Sequence, residues 1–244
     1  MPATEEEGGH AAADESTIAI FQAEWSTYRK MVENNFLFHR EAYARLHDVV
    51  VQQYARPFHF LDIACGDASA SAGALAGTTV AAYTGIDFSA LALDLAAKNL
   101  SVLSCPVTLV RLDFLDAIDE TRTPVDLAWI GLSLHHLLAP GKLAFMRKVR
   151  GLLKPGGQLM VFENTSPDGE DRPTWLGRWD LQRSLWHAYS ADEWTRMANH
   201  VHAADFPETI STWRALGRDA GFRSVEDLYT TPTDLFRLWS FEVE

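Results

Sequence analysis

This sequence predicts an α/β fold built on a doubly wound, largely parallel sheet, and three observations carry that prediction. Apolar runs of strand length alternate with alanine-rich or amphipathic stretches of helix length, the pattern that builds parallel sheets through right-handed crossovers. Three successive apolar runs each end in a carboxylate, at Asp62, Asp87 and Asp113. The chain has 244 residues, 47% hydrophobic and 22% charged, enough for one large domain with a real core.

Residues 1–15 are acidic and rich in small side chains, without the basic and apolar regions of a secretory signal, and are expected to be a disordered leader. Residues 16–56 read as two helices. Phe21, Trp25, Tyr28 and Val32 repeat at helical spacing, and His39, Tyr43, Leu46, Val50 and Tyr54 continue in that style. Pro57 helps to end the second helix. Residues 57–163 carry the alternation. A strand through Phe60, Leu61 and Asp62 leads into the small-residue turn Ala64–Ala68 and a helix over Ser69–Ala76. The next strand, Ala81–Ile86, precedes Asp87, and Ala90–Leu100 is a good helix former. Strands follow over Val107–Leu112 and Val125–Ser133, then an amphipathic helix over Ala139–Leu153. Lys154, Pro155, Gly156 and Gly157 signal a turn before the fifth strand, Gln158–Glu163. Residues 164–210 break the alternation and hold Trp175, Trp179, Trp186 and Trp194, four of the eight tryptophans, so a helical insertion is expected there. In residues 211–244 a helix over Ser211–Ala220 stops at Gly221, a C-cap, before strands Val225–Tyr229 and Leu235–Val243.

The net charge is −12, which argues against a nucleic-acid partner, because neutralising phosphates takes clustered Lys and Arg. No apolar run approaches the roughly 20 residues of a membrane span. The two cysteines, Cys65 and Cys105, suggest no disulfide framework, and a reducing cytoplasm is the expected compartment.

The small residues of the first turn let backbone N–H groups come close to something polar. Three strands that each deliver an acid to one sheet edge make a ligand site where open α/β sheets bind nucleosides. At Asp62, Ile63, Ala64, Cys65, Gly66, Asp67 and Ala68 the chain resembles the class I S-adenosylmethionine-dependent methyltransferases, whose first motif is usually Asp-x-Gly-x-Gly-x-Gly. Gly66 keeps the middle glycine. Ala64 and Ala68 replace its neighbours, and alanine disfavours positive φ, so a reshaped turn is expected. The Lys154–Gly157 turn and the stretch Leu134, His135, His136 and Leu137 are also similar to that family. The resemblance covers residues 58–163 and the segment after 211. It implies a Rossmann-like, seven-stranded doubly wound sheet. An N-terminal helical lid would lie over it, with a helical cap after the fifth strand and an antiparallel edge hairpin at the end.

The resemblance also implies site residues. Backbone N–H groups of the turn, at Ala64, Cys65, Gly66 and Asp67, would approach the amino acid end of S-adenosyl-L-methionine, and Asp62 would attract its ammonium. Asp87 would accept the ribose hydroxyls, since one carboxylate has two acceptor oxygens. Phe88 would pack on adenine, Asp113 and Phe114 would meet its edge, and Leu132 would border the cofactor. Each carboxylate also reads as a helix N-cap or turn former. His135, His136 and Glu163 are the candidate general bases or acceptor holders; equally, the histidines read as hydrogen-bonding the start of the next helix. Tyr28, Trp175, Trp179 and His200 are candidate substrate contacts, and core packing is the other reading of the tryptophans.

The implied function is methyl transfer to N, O or S of a small-molecule acceptor, with S-adenosyl-L-homocysteine as product. The protein is expected to be a monomer or homodimer. Two rivals stand beside it. A nicotinamide-dependent oxidoreductase needs Gly-x-Gly-x-x-Gly, but the chain has Ala64, Gly66 and Ser69, and Asp67 would repel a pyrophosphate. The other rival is a catalytically silent S-adenosylmethionine-binding regulator. His200, His202 and Asp205 carry ligand chemistry without a recognised metal spacing, and no metal is expected, because the sulfonium is already a good leaving group.

Overall fold

The computed structural model describes residue 27 and residues 29–244. The expected leader lies outside the described residues, as do Phe21, Trp25 and Tyr28 of the first helical stripe. Residues 29–33 are helical. The alternation then runs α1 (His39–Gln53), β1 (Phe58–Ile63), α2 (Ser69–Leu75), β2 (Val80–Asp87), α3 (Ala90–Asn99), β3 (Val107–Arg111), α4 (Phe114–Glu120), β4 (Val125–Gly131), α5 (Ala139–Leu152) and β5 (Leu153–Ser166). After it come α6 (Arg172–Asp180), α7 (Ala191–Ala204), the two-residue β6 (Glu208–Thr209), α8 (Ile210–Ala220), β7 (Ser224–Thr230) and β8 (Phe236–Glu242).

The sheet order is β3-β2-β1-β4-β5-β8-β7, with β6 paired to β5 outside that path. Strands β1 to β5 are parallel, and β8 and β7 close the edge antiparallel. The order reverses between β1 and β4, so the crevice at their C-terminal ends is the topological switch point.

The apolar runs are continuous because both faces of the sheet are covered. Alternate residues enter separate cores. Phe60, Leu127, Trp129, Met160 and Phe162 pack with Leu46 and Val50 of α1 and Ala72 and Leu75 of α2. Leu61, Ile63, Ala128, Ile130, Leu159 and Val161 pack with Phe145 of α5 and Trp213 of α8. α8 lies close on the hairpin: a Cβ at Gly217 would meet Val225 Cγ2 at 2.5 Å and Phe241 Cδ1 at 2.7 Å. Its C-cap, Gly221, has φ 91°, as its place after the helix predicts.

Three details differ from expectation. β3 stops at Arg111 because Asp113 caps α4, a seven-residue helix too short to leave a periodic signature. The Lys154–Gly157 turn is a bulge inside β5: Val125 pairs with Leu153 and Leu127 with Gln158, so the intervening residues loop out. β5 also runs past Glu163 to Ser166, because Thr165 and Ser166 pair with β6.

Candidate active site

The C-terminal ends of β1, β2 and β4 open into a cavity of about 650 Å³. The turn after β1 has Ala64, Gly66 and Ala68 at φ 54°, 55° and 51°. Left-handed backbone costs an alanine about 1–2 kcal/mol, so the two substitutions in the motif keep the glycine conformation at the expense of strain. Cys65 N–H donates to Ile86 O and Gly66 N–H to Asp87 Oδ2, each at 2.9 Å, which ties the turn to the tip of β2. Asp87 Oδ1 accepts the Ser89 N–H at 2.8 Å. Burial pushes the Asp87 carboxyl up, against the pull of those two N–H groups.

Ala64, Gly66, Asp87, Phe88, Asp113 and Phe114 line this end of the cavity. Phe88 is exposed at the mouth. Asp113 lines the cavity while its Oδ1 accepts the Leu115 N–H at 2.9 Å, so it is also the helix cap that its position allowed. Asp62 does not reach the cavity. It lies beneath the turn, 1% exposed, and accepts the Tyr83 hydroxyl at 2.5 Å. Burial raises its carboxyl from 3.8 to about 6. Cys65 and Asp67 are likewise absent from the lining; Asp67 accepts the Ser69 N–H at 3.1 Å.

Where β4 ends, Leu132 turns back at φ 51°, its N–H on Phe162 O at 2.8 Å, and the chain enters the short 3-10 turn Leu134–His136. Leu132, His135 and His136 line the middle of the cavity. Glu163, fully buried on β5, holds this turn. Its Oε1 accepts the Ser133 and Leu134 N–H groups, and its Oε2 accepts Asn164 N–H and His135 Nδ1, both at 2.9 Å. Every side of the Glu163 carboxylate is engaged and it does not line the cavity. Burial alone would lower His135, but the Glu163 carboxylate and then Asp205 outweigh it and hold the ring above the usual histidine range. Glu163 is held low despite burial, by the charge and hydrogen bond of His135.

The bond between Nδ1 and Glu163 leaves His135 Nε2 directed at Asp205, with Oδ1 at 3.7 Å. Asp205 is 6% exposed; its Oδ2 accepts Asn164 Nδ2 at 2.8 Å, and its Oδ1 has no hydrogen-bond partner among the described residues. The loop carrying Asp205 is pinned from below. Lys142, wholly buried, donates to Phe206 O at 2.6 Å and Glu208 Oε1 at 2.7 Å, while Phe206 N–H donates to His135 O at 2.8 Å.

The far end of the cavity is aromatic and apolar. Trp179, Trp186, Met197, His200, Phe236 and His39 line it. Trp179 stacks on Trp194 at 4.7 Å, and Trp186 meets Trp179 edge-on at 5.7 Å. Burial lowers His39 to about 4, so it stands there as a neutral ring. Trp175, one helical turn before Trp179, is fully buried and does not line the cavity. Of the expected substrate residues the structure thus brings Trp179 and His200 to one chamber, and Tyr28 lies outside the described residues. Asp205, Asn164, His39 and Met197 are cavity residues that the sequence reading did not assign to the site. Asp205 stood in the His200–Asp205 stretch, but His202 points elsewhere, to Asp180 at 3.0 Å on the surface.

Residues 61–159 match the family described as Methyltransferase domain. That segment is similar to methyltransferase domains. It spans β1 into β5, the strands whose ends form the cavity. Among curated proteins, YafE of Escherichia coli (strain K12), an uncharacterised protein, is 28% identical over 129 residues, 52% of this chain and 61% of its own length. The match therefore spans less than two thirds of that relative. Among solved structures, a possible exported protein of Bordetella parapertussis aligns with TM-score 0.62 at 22% identity, covering 84% of this chain and 67% of that one. An O-methyltransferase family protein of Burkholderia thailandensis aligns with TM-score 0.60 at 18% identity, covering 96% and 74%. At these identities the structural likeness establishes the fold.

Proposed function

We propose that the protein transfers a methyl group from S-adenosyl-L-methionine to N, O or S of a small-molecule acceptor. One observation carries the reading: a single cavity joins the carboxylate-bearing strand ends to a chamber walled by aromatic side chains, with His135 between them. The cofactor end suits the donor. Asp87 is 8% exposed, and each oxygen accepts one N–H, which leaves lone pairs for two ribose hydroxyls. Phe88, Phe114 and Leu115 offer apolar surface for adenine. Asp62 acts on the ammonium from beneath the turn. The donor supplies an electrophilic methyl on a sulfonium.

In the reaction a lone pair of the acceptor attacks the methyl carbon, the carbon–sulfur bond breaks in line, and S-adenosyl-L-homocysteine leaves. An acceptor X–H also releases its proton to solvent. Catalysis comes mostly from alignment and from exclusion of water by the aromatic walls. His135, oriented by Glu163, is the side chain that meets the acceptor. Glu163 is a positioning residue, since its oxygens are all occupied within the fold. Residues 16–56 and 164–210 are read as lid and cap over the core of residues 57–163, which residues 211–244 complete. A cytoplasmic monomer or homodimer is part of the same reading; among the described residues no helix is long and apolar enough to cross a membrane.

Calorimetric titration with S-adenosylmethionine, S-adenosylhomocysteine and oxidised nicotinamide dinucleotide tests the proposal. Micromolar binding of the first two and none of the third is expected. Binding of the dinucleotide alone overturns it. Binding without formation of S-adenosylhomocysteine across small amines, carboxylates, phenols and thiols favours the silent regulator instead.

A further inference from the structure

We propose that His135, His136 and Asp205 bind one divalent first-row transition-metal ion inside the cavity. Their donor atoms lie within 4.8 Å of one another, and all three residues line the chamber. The buried pair sets the geometry. His135 Nε2 and Asp205 Oδ1 stand 3.7 Å apart, too far for a hydrogen bond. Two ligands about 2.0–2.1 Å from a tetrahedral ion stand roughly 3.4 Å apart, so an ion fits between them with little movement. His136 is exposed, and its ring meets that of His135 edge-on at 4.2 Å, beside the third position.

An independent observation points the same way. Asp205 Oδ1 is a carboxylate oxygen in a residue 6% exposed, aimed at the histidines, and nothing among the described residues hydrogen-bonds to it. A buried anionic oxygen without a partner is costly. Lys142, the buried lysine of this region, is already committed to Glu208 and Phe206 O, and His135 Nε2 stands 3.7 Å away from Asp205 Oδ1.

Each ligand also has a partner that orients it. His135 Nδ1 bonds to Glu163 Oε2 at 2.9 Å, the carboxylate–histidine arrangement that fixes Nε2 as the metal-facing nitrogen. His136 Nδ1 lies 3.3 Å from Ala204 O, which leaves its Nε2 as a donor. Asn164 Nδ2 holds Asp205 Oδ2 at 2.8 Å and leaves Oδ1 for the ion. Two imidazoles and one carboxylate suit zinc, cobalt, iron or manganese and leave coordination positions open to the chamber. Resting on the methyl-transfer reading, the ion favours an acceptor that offers oxygen, a hydroxyl or enol. Bound to the ion, that oxygen loses its proton to solvent more easily and His135 meets the acceptor through the ion.

The test is metal binding by the untagged full chain after chelator treatment, with no methyl donor present, so it fails or succeeds apart from methyl transfer. Co²⁺ is titrated while its visible d–d absorption is recorded, with Zn²⁺ competition by calorimetry. One equivalent bound at micromolar affinity or tighter is expected. His136→Ala, at an exposed position, and Asp205→Asn should each weaken binding about 100-fold or more. His202→Ala, which breaks only the surface pair with Asp180, should leave it unchanged. Circular dichroism checks that each variant is folded. No Co²⁺ bound by the wild type, full binding by His136→Ala or by a folded Asp205→Asn, or loss in His202→Ala overturns the proposal.

Discussion

Asp62 combines burial and charge, and replacing it should make the free protein more stable and a poorer cofactor binder. The carboxyl is 1% exposed and accepts the Tyr83 hydroxyl at 2.5 Å. Burial raises it from 3.8 to about 6. An acid raised on folding holds its proton more tightly in the native state, so its contribution is fully present below pH 3.8 and is lost as pH rises through 6. Two pH units correspond to about 3 kcal/mol, an upper bound once water from the neighbouring cavity is allowed for. The amide of Asp62→Asn keeps an acceptor for Tyr83 and never ionises. Urea unfolding followed by tryptophan fluorescence should show the variant more stable by about 2–3 kcal/mol near pH 8, the gap closing towards pH 4. Removing the carboxylate beneath the turn should also weaken S-adenosylmethionine by about 5- to 30-fold above pH 6, the scale of one partly screened charge pair. Equal stability of the two proteins at high pH, or a gap that persists to pH 4, refutes burial as the cause. Unchanged affinity refutes the ammonium role.

Three further outcomes are expected. Asp87→Ala removes the proposed acceptor for two ribose hydroxyls and should weaken S-adenosylmethionine at least about 100-fold by calorimetry; unchanged affinity would sink that assignment. Gly217→Ala places a Cβ 2.5 Å from Val225 Cγ2 and 2.7 Å from Phe241 Cδ1, and should lower the melting temperature by about 2–10 °C through 1–3 kcal/mol of overpacking, with no local effect at the cavity. Lys142→Met leaves Glu208 and Phe206 O without their buried cation, so it should destabilise the fold by about 3–5 kcal/mol in urea titration and free the Asp205 loop.

The core was legible in the sequence because its strands are covered on both faces, which writes them as unbroken apolar runs between turn residues. The switch point followed from it: Asp87 and Asp113 reach one cavity because each ends a strand or opens the next helix there. Two elements left no signature, α4 with seven residues and β6 with two, since neither spans two full hydrophobic periods. The acceptor end was harder. Trp175 and Trp179 share a helix face, and periodicity cannot tell that the first is buried in the core while the second, one turn on, lines the chamber. Asp205 meets His135 across 70 positions of chain, through Asn164 and the loop that Lys142 anchors. Such a contact is a product of the tertiary fold; local spacing grouped Asp205 with His200 and with His202, whose ring turns to Asp180.

The distribution of cost in the fold argues for where its work is done. Among the described residues six other than glycine have positive φ, and three of them, Ala64, Ala68 and Leu132, sit where β1 and β4 end at the cavity. Phe38, between the cavity-lining Leu37 and His39, is a fourth. The buried carboxylates cluster in the same crevice: Asp62 beneath the turn, Asp87 at its rim, Glu163 behind His135 and Asp205 opposite it. Burial works against the charge of Asp62 and of Asp87, a cost that packing alone would not require. Away from that end, the core where Trp213 and Phe145 pack on β4 and β5 is apolar. Strain and buried charge therefore collect at one end of one sheet. A two-faced core holds them there, and they set a turn, a carboxylate and an imidazole around one cavity.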